Sequence, residues 1–239
     1  MNHKTEQIRL KVGDKERRAV AYVPDKPSGA MAFVFHGHGG TAEAAARKFA
    51  LHEHLKGWLV VYPQGLPNYG PVSRRTANGW QHSPEEDGGR DLAFVDALLT
   101  ELNKRHRIDA TKRCACGMSN GGLFTVLLLK ERPKEFAAFA EAGGGGARFA
   151  QQAKTPKPLL IIHGKSDALV DIATARRLRE AMIRLNRCEP KADEWAPGYL
   201  RNAPKDGKNP VIIHEFNGGH EWPSDASKMI ARFFKEQTG

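Results

Sequence analysis

Along most of the chain, short apolar runs alternate with stretches whose apolar residues recur at helical spacing, and this order limits the available folds more than any other feature. A strand buried on both faces reads as a continuous apolar run, and strands separated by helices pair in parallel, so the order predicts an α/β fold. Its central sheet should be mostly parallel, with helices on both faces. The runs are Met31 to Phe35, Trp58 to Tyr62, Arg113 to Gly117, Phe136 to Ala142, Pro158 to Ile162 and Val211 to Phe216. Between them, Thr41 can cap an alanine-rich helix reaching about Leu55, and Asp91 can start a helix with Leu92, Val95, Leu98, Leu99 and Leu102 on one face. Leu123 to Lys130 is apolar enough for a buried helix ended before Pro133. Ile172, Ala175, Leu178, Met182 and Leu185 mark a further helix, and Ala226, Met229, Ile230 and Phe233 the last. Near the N-terminus, Gln7 to Val12 and Arg18 to Val23 alternate apolar and polar residues around Gly13-Asp14, the pattern of an antiparallel hairpin, placed here at the sheet edge. Residues 63–86 and 187–209 hold turn formers with little periodicity, so they are expected as a long loop over one rim and an irregular excursion.

A chain of 239 residues can bury one sizeable core, and a single domain over 1–239 is expected. No run approaches the roughly 20 apolar residues of a membrane span. The balance of 37 basic against 27 acidic residues, a net charge of +10, favours anionic partners. The cations are nevertheless scattered, as at Arg176, Arg177, Arg179 and Arg184, without interleaved aromatics, so no nucleic-acid role is expected. Met1 to Arg9 carries no apolar stretch, which predicts a cytoplasmic location for the chain as given, or a secreted or periplasmic one if a leader was removed. Cys114 and Cys116 lie two apart in one strand, where they bridge poorly, and read as small core residues.

In an open α/β sheet, ligands sit at the carboxyl ends of the strands. Four polar clusters fall there: His36-Gly37-His38-Gly39, Gly117 to Gly121, His163 to Asp167, and Gly218-Gly219-His220. Gly117-Met118-Ser119-Asn120-Gly121 fits a strand-turn-helix elbow that presents a serine nucleophile, its glycines letting the turn close. Chance would supply roughly 0.07 matches to Gly-x-Ser-x-Gly in this composition, so the position between strand and helix carries the assignment. A serine hydroxyl needs a base and an orienting acid. His220, on a glycine loop after the last strand, suits the base better than His163 or His214, which read as structural, or His52, His54 and His106, which read as surface residues on helices. Asp167 stands in the required chain order for the acid; Asp171, its competitor, looks like a helix N-cap. The oxyanion donors are expected to be the amides of Asn120 and of His38, or of Gly37 in its place. His36 and His38 lack a third ligand at suitable spacing, so no metal is expected, and no cofactor.

These segments resemble those of the poly(3-hydroxybutyrate) depolymerase-like and feruloyl esterase-like branch of the α/β-hydrolases, the LpqC-type serine esterases. The resemblance covers most of the chain: Val34 to Gly40, Asn78-Gly79-Trp80, Arg90 to Val95, Gly117 to Gly122, His163 to Asp167 and Gly218 to Pro223. It implies Ser119, Asp167 and His220 as nucleophile, acid and base, and a fold without a large lid. Trp80 and Trp222 are candidates for the walls of an acyl or aromatic pocket. The expected activity is hydrolysis of a small or oligomeric ester (feruloyl, acetyl or hydroxybutyrate) through an acyl-enzyme. A serine peptidase of the same fold and a non-catalytic ligand-binding module are the alternatives. Neither the ester's two halves nor the oligomeric state follows from the sequence.

Overall fold

The computed structural model describes residues 3–239. Met1 and Asn2, where the segment read for a leader begins, lie outside them. The chain opens with the expected hairpin, β1 (His3–Val12) and β2 (Lys15–Pro24), turning at Gly13-Asp14. The apolar runs follow as β3 (Met31–Phe35), β4 (Leu59–Pro63), β7 (Arg113–Met118), β8 (Ala138–Ala142), β9 (Leu159–Gly164) and β12 (Val211–Phe216). These six strands pair in parallel in the order β4-β3-β7-β8-β9-β12. The hairpin adds β2 antiparallel to β4, so the sheet is mostly parallel with an antiparallel N-terminal edge.

Both faces are covered because alternate residues of a strand point opposite ways. Met31, Phe33 and Phe35 pack with α3 (Arg90–Arg105), α4 (Asn120–Glu131), α5 (Ala147–Gln152) and α6 (Ile172–Leu185). Ala32 and Val34 pack on the other side with α1 (Ala42–Phe49), α2 (Leu51–His54) and α7 (Ala226–Thr238). Cys114, Cys116 and Cys188 are free and buried.

Four segments depart from expectation. The helix after Thr41 is capped as predicted, Thr41 accepting from the Ala44 amide, but breaks at Ala50 in a left-handed conformation (φ 43°). An alanine gives no warning of such a turn. Residues 63–86 contain a separate two-stranded ribbon, β5 (Leu66–Gly70) with β6 (Arg75–Gly79), hidden by its Pro, Asn and Gly content. Residues 187–209 form the hairpin β10 (Cys188–Ala196) and β11 (Tyr199–Pro204), which extends the sheet antiparallel beyond β12. Its charges, such as Glu189, Lys191 and Asp193, suit an edge strand and mask the strand signal. Finally, His52 is buried rather than on the surface: its ring stacks 3.7 Å from that of Tyr22 and its Nδ1 lies 2.9 Å from the Tyr62 hydroxyl. No helix among the described residues is long and apolar enough to cross a membrane.

Candidate active site

The carboxyl ends of β3, β7, β9 and β12 converge on one cleft of about 600 Å³. At the end of β7, Ser119 takes a strained backbone conformation (φ 56°, ψ −122°) and α4 begins at the next residue. The glycines on either side are required by close approach. A Cβ on Gly117 would stand 2.3 Å from the Gly121 carbonyl oxygen, and one on Gly121 would stand 2.3 Å from that of Phe35. Both contacts are with backbone, so neither can be relieved by a side chain moving.

Two loops reach the serine. His220, after β12, sets its Nε2 2.8 Å from Ser119 Oγ and its Nδ1 2.7 Å from Asp167 Oδ2. Asp167, after β9, accepts the amides of Leu169 and Val170 on its other oxygen, both at 2.9 Å. Burial works to raise the Asp167 carboxyl, but the Val170 amide, His220 and the Leu169 amide outweigh it and hold the group below the ordinary carboxylate range. Asp171 does not join this chain; it accepts from the Ala173 amide at 2.7 Å as the N-cap of α6. His163 sits behind Asp167, its Nε2 2.8 Å from the Val170 carbonyl and 3.5 Å from Asp167 Oδ2.

Gly37, His38 and Asn120 border the same cleft. Burial pushes His36 down to about 4, so its ring is neutral near pH 7. Its Nε2 accepts from the Gly65 amide (3.0 Å), which leaves Nδ1 to donate to the Gly37 carbonyl (2.8 Å). The Gly40 amide donates to the same carbonyl at 2.9 Å. Because the two polar groups of a trans peptide point in opposite directions, a Gly37 carbonyl anchored this way turns the His38 N–H the other way. The His38 ring is held from the β5–β6 ribbon, with Nε2 3.1 Å from the Asn68 carbonyl and Nδ1 3.1 Å from Ser73 Oγ. Asn120 spends its side chain on Trp80, accepting its amide at 2.7 Å and donating to its carbonyl at 2.9 Å.

The two tryptophans do not wall the cleft. Trp80 is fully buried, donates from Nε1 to the His36 carbonyl (2.8 Å) and stacks on Phe124. Trp222 stacks on Phe49 at 4.2 Å and donates to Ser227 Oγ. An indole with its N–H satisfied by local backbone or hydroxyl is a packing element. The apolar lining comes instead from Ala44, Ala45 and Phe49 on one side and Leu123, Leu169 and Val170 on the other, with Val72 at the tip of the ribbon.

One residue escaped the sequence reading. Glu141, in the middle of β8, is wholly buried and its Oε2 accepts the amides of Gly144 (2.7 Å) and Gly145 (3.2 Å). Burial pushes its carboxyl up to about 8 against these two hydrogen bonds. It thereby holds the glycine loop that packs on His220: a Cβ on Gly143 would lie 3.3 Å from the His220 ring. A lone carboxylate inside Ala138-Phe-Ala-Glu-Ala142 was the available signal. Among the described residues, no group of three His, Cys, Asp or Glu is placed to hold a metal ion.

No protein-family model matches the chain. Among curated relatives, a probable feruloyl esterase C of Aspergillus niger is 29% identical over 147 residues, 60% of this chain and 53% of that protein. The chain thus spans about half the length of that relative. A putative esterase, NocK, of Nocardia uniformis subsp. tsuyamanensis is 28% identical over 243 residues, 84% of this chain and 67% of that one. Among solved structures, acetyl xylan esterase from Aspergillus awamori superposes with a TM-score of 0.72 at 16% identity, covering 97% of this chain and 99% of that one. The chain thus has the α/β-hydrolase fold and is similar in sequence to feruloyl esterases. An acylaminoacyl peptidase of Pyrococcus horikoshii shares the fold too (TM-score 0.67, 15% identity), covering all of this chain and 42% of its own length.

Proposed function

We propose that this α/β-hydrolase cleaves carboxylic esters through an acyl-enzyme formed on Ser119. The observation that carries this reading is the unbroken path from Ser119 Oγ to His220 Nε2 and from His220 Nδ1 to Asp167, at 2.8 and 2.7 Å. Ser119 Oγ attacks the ester carbonyl while His220 Nε2 takes its proton, and the tetrahedral oxyanion forms. When it collapses, the bond to the alcohol oxygen breaks and His220 returns the proton to that oxygen. Water then repeats the sequence on the acyl-enzyme, with His220 as base, and releases the acid. Asp167 keeps Nδ1 protonated and steadies the imidazolium. The amides of Asn120 and His38 receive the oxyanion, a choice over Gly37 favoured by the anchored Gly37 carbonyl.

The substrates are small aryl or alkyl esters or polymer-derived ones of feruloyl, acetyl or hydroxybutyrate type, suited to a cleft whose interior is largely apolar. The continuous ten-stranded sheet supports treating the chain as one domain. A fluorophosphonate probe should label Ser119, and Ser119→Ala should lower kcat on nitrophenyl esters by roughly 10³ to 10⁶ without weakening substrate binding. Full activity in Ser119→Ala would end this reading. Turnover of N-acyl amides at rates above those of the matching esters would replace it with the peptidase.

A further inference from the structure

The charge around the cleft is one-sided. Among the described residues, none that lines it is acidic, although the chain carries 27 Asp and Glu. Of the carboxylates near it, Asp167 is engaged with His220, Glu86 with His82 and Glu43 with Arg18, while Glu221, next after His220, is exposed and outside the lining. The cations at the same place are not so engaged. Lys48 lines the cleft beside Phe49 on the last turn of α1. The Arg75 guanidinium reaches over the oxyanion loop, one of its nitrogens 3.1 Å from where a Gly39 Cβ would stand. Arg148 donates to the carbonyl of His82, another lining residue. All three are exposed, and none forms an ion pair with a described carboxylate. Elsewhere some exposed arginines, such as Arg176 and Arg201, are paired with Glu215 and Asp193 and others, such as Arg177 and Arg184, are not, so what sets Lys48 and Arg75 apart is their place at the cleft.

A concave site with low-dielectric walls and charge of one sign focuses its field into the cavity and enriches ligands of the opposite sign. Ala44, Ala45 and Phe49 provide the apolar wall, and Lys48 stands beside them at the mouth. An occupant that satisfies both has an apolar body and an anionic end. We propose that the cleft selects esters bearing a free carboxylate on the part of the molecule that does not react, with Lys48 and Arg75 as the residues that set this preference. The proposal rests on the ester-hydrolase reading above and adds the substrate's charge to it.

The test compares esters matched in size and differing in charge: nitrophenyl hemiglutarate with nitrophenyl valerate for the acyl half, and 4-butyryloxybenzoate with 4-butyryloxybenzamide for the alcohol half. At low ionic strength, about 20 mM, the anionic member of at least one pair should have the higher kcat/KM by about tenfold, through a lower KM. That ratio should shrink severalfold at about 0.5 M salt, where the screening length falls to a few Å. In Lys48→Gln/Arg75→Gln the ratio should fall toward one, while Lys104→Gln, on the outer end of α3, leaves it where it was. If the neutral ester is turned over and preferred in both pairs, the proposal is wrong and the hydrolase reading stands. A ratio that ignores salt and both cations also overturns it. If no ester is turned over in either pair, the hydrolase reading itself fails.

Discussion

The floor and the rim of the cleft are built by different rules. On the floor, the proposed catalytic groups are held by close contacts and hydrogen bonds: Ser119 by glycines in backbone contact, Asp167 by two amides and a histidine, and the Gly37 carbonyl by a buried ring. On the rim, Val72 and Leu169 leave 59% and 58% of their surface in solvent, and Lys48 ends in water. The floor is therefore where small changes should cost rate, and the rim where they should change which ester is accepted.

The sharpest test of that division pairs two aspartates four residues apart. Asp167→Asn keeps the shape but reverses the donor that faces His220 Nδ1, and should lower kcat by about 10³ to 10⁴ with little change in KM. Asp171→Asn, still able to cap α6, should leave kcat within about twofold. Equal losses in the two variants would erase the distinction between acid and cap.

Next in size is the effect of Glu141. The folded chain holds a proton there up to about pH 8, whereas the unfolded chain releases it near the ordinary 4.5. Between those values the unfolded state binds fewer protons, so stability falls as pH rises through the window and levels off above it. Glu141→Gln preserves an acceptor for Gly144 and Gly145 and removes the titration. Its denaturation midpoint should gain on that of the parent from pH 5 to pH 8, and parallel curves for the two proteins would show that the group does not titrate in this range.

The smallest effect belongs to the rim. Val72→Ala removes exposed apolar surface and should raise KM for medium-chain nitrophenyl esters by about two- to threefold at constant kcat and midpoint of unfolding. A matching fall in kcat would mean that rim and floor are not separate.

The same division decides how much could be read from the sequence. Floor residues are constrained by local chemistry that leaves a pattern: the elbow needs small residues at fixed offsets from Ser119, and an acid and a base must follow in order at strand ends, the places of the proposed pair Asp167 and His220. The parallel strands are legible for a similar reason, being predominantly apolar. The ribbon over the cleft and the β10–β11 hairpin are stabilised by tertiary pairing of polar segments, which periodicity does not register. Trp80 misled because an indole beside a glycine loop has the same sequence signature whether it faces a ligand or the core. Only its full burial and the bond from its Nε1 to the His36 carbonyl distinguish the two.

The ribbon over the cleft joins the two regions. The ribbon whose tip carries Val72 also holds both ring nitrogens of His38, through Asn68 and Ser73. Anyone redesigning this catalyst for a bulkier ester would first trim or lengthen that ribbon, and would loosen the anchor of the oxyanion loop in the same stroke. Selectivity and turnover are thus mechanically geared, and a broadened acceptance of substrates should come with a slower enzyme unless His38 is given a new hold.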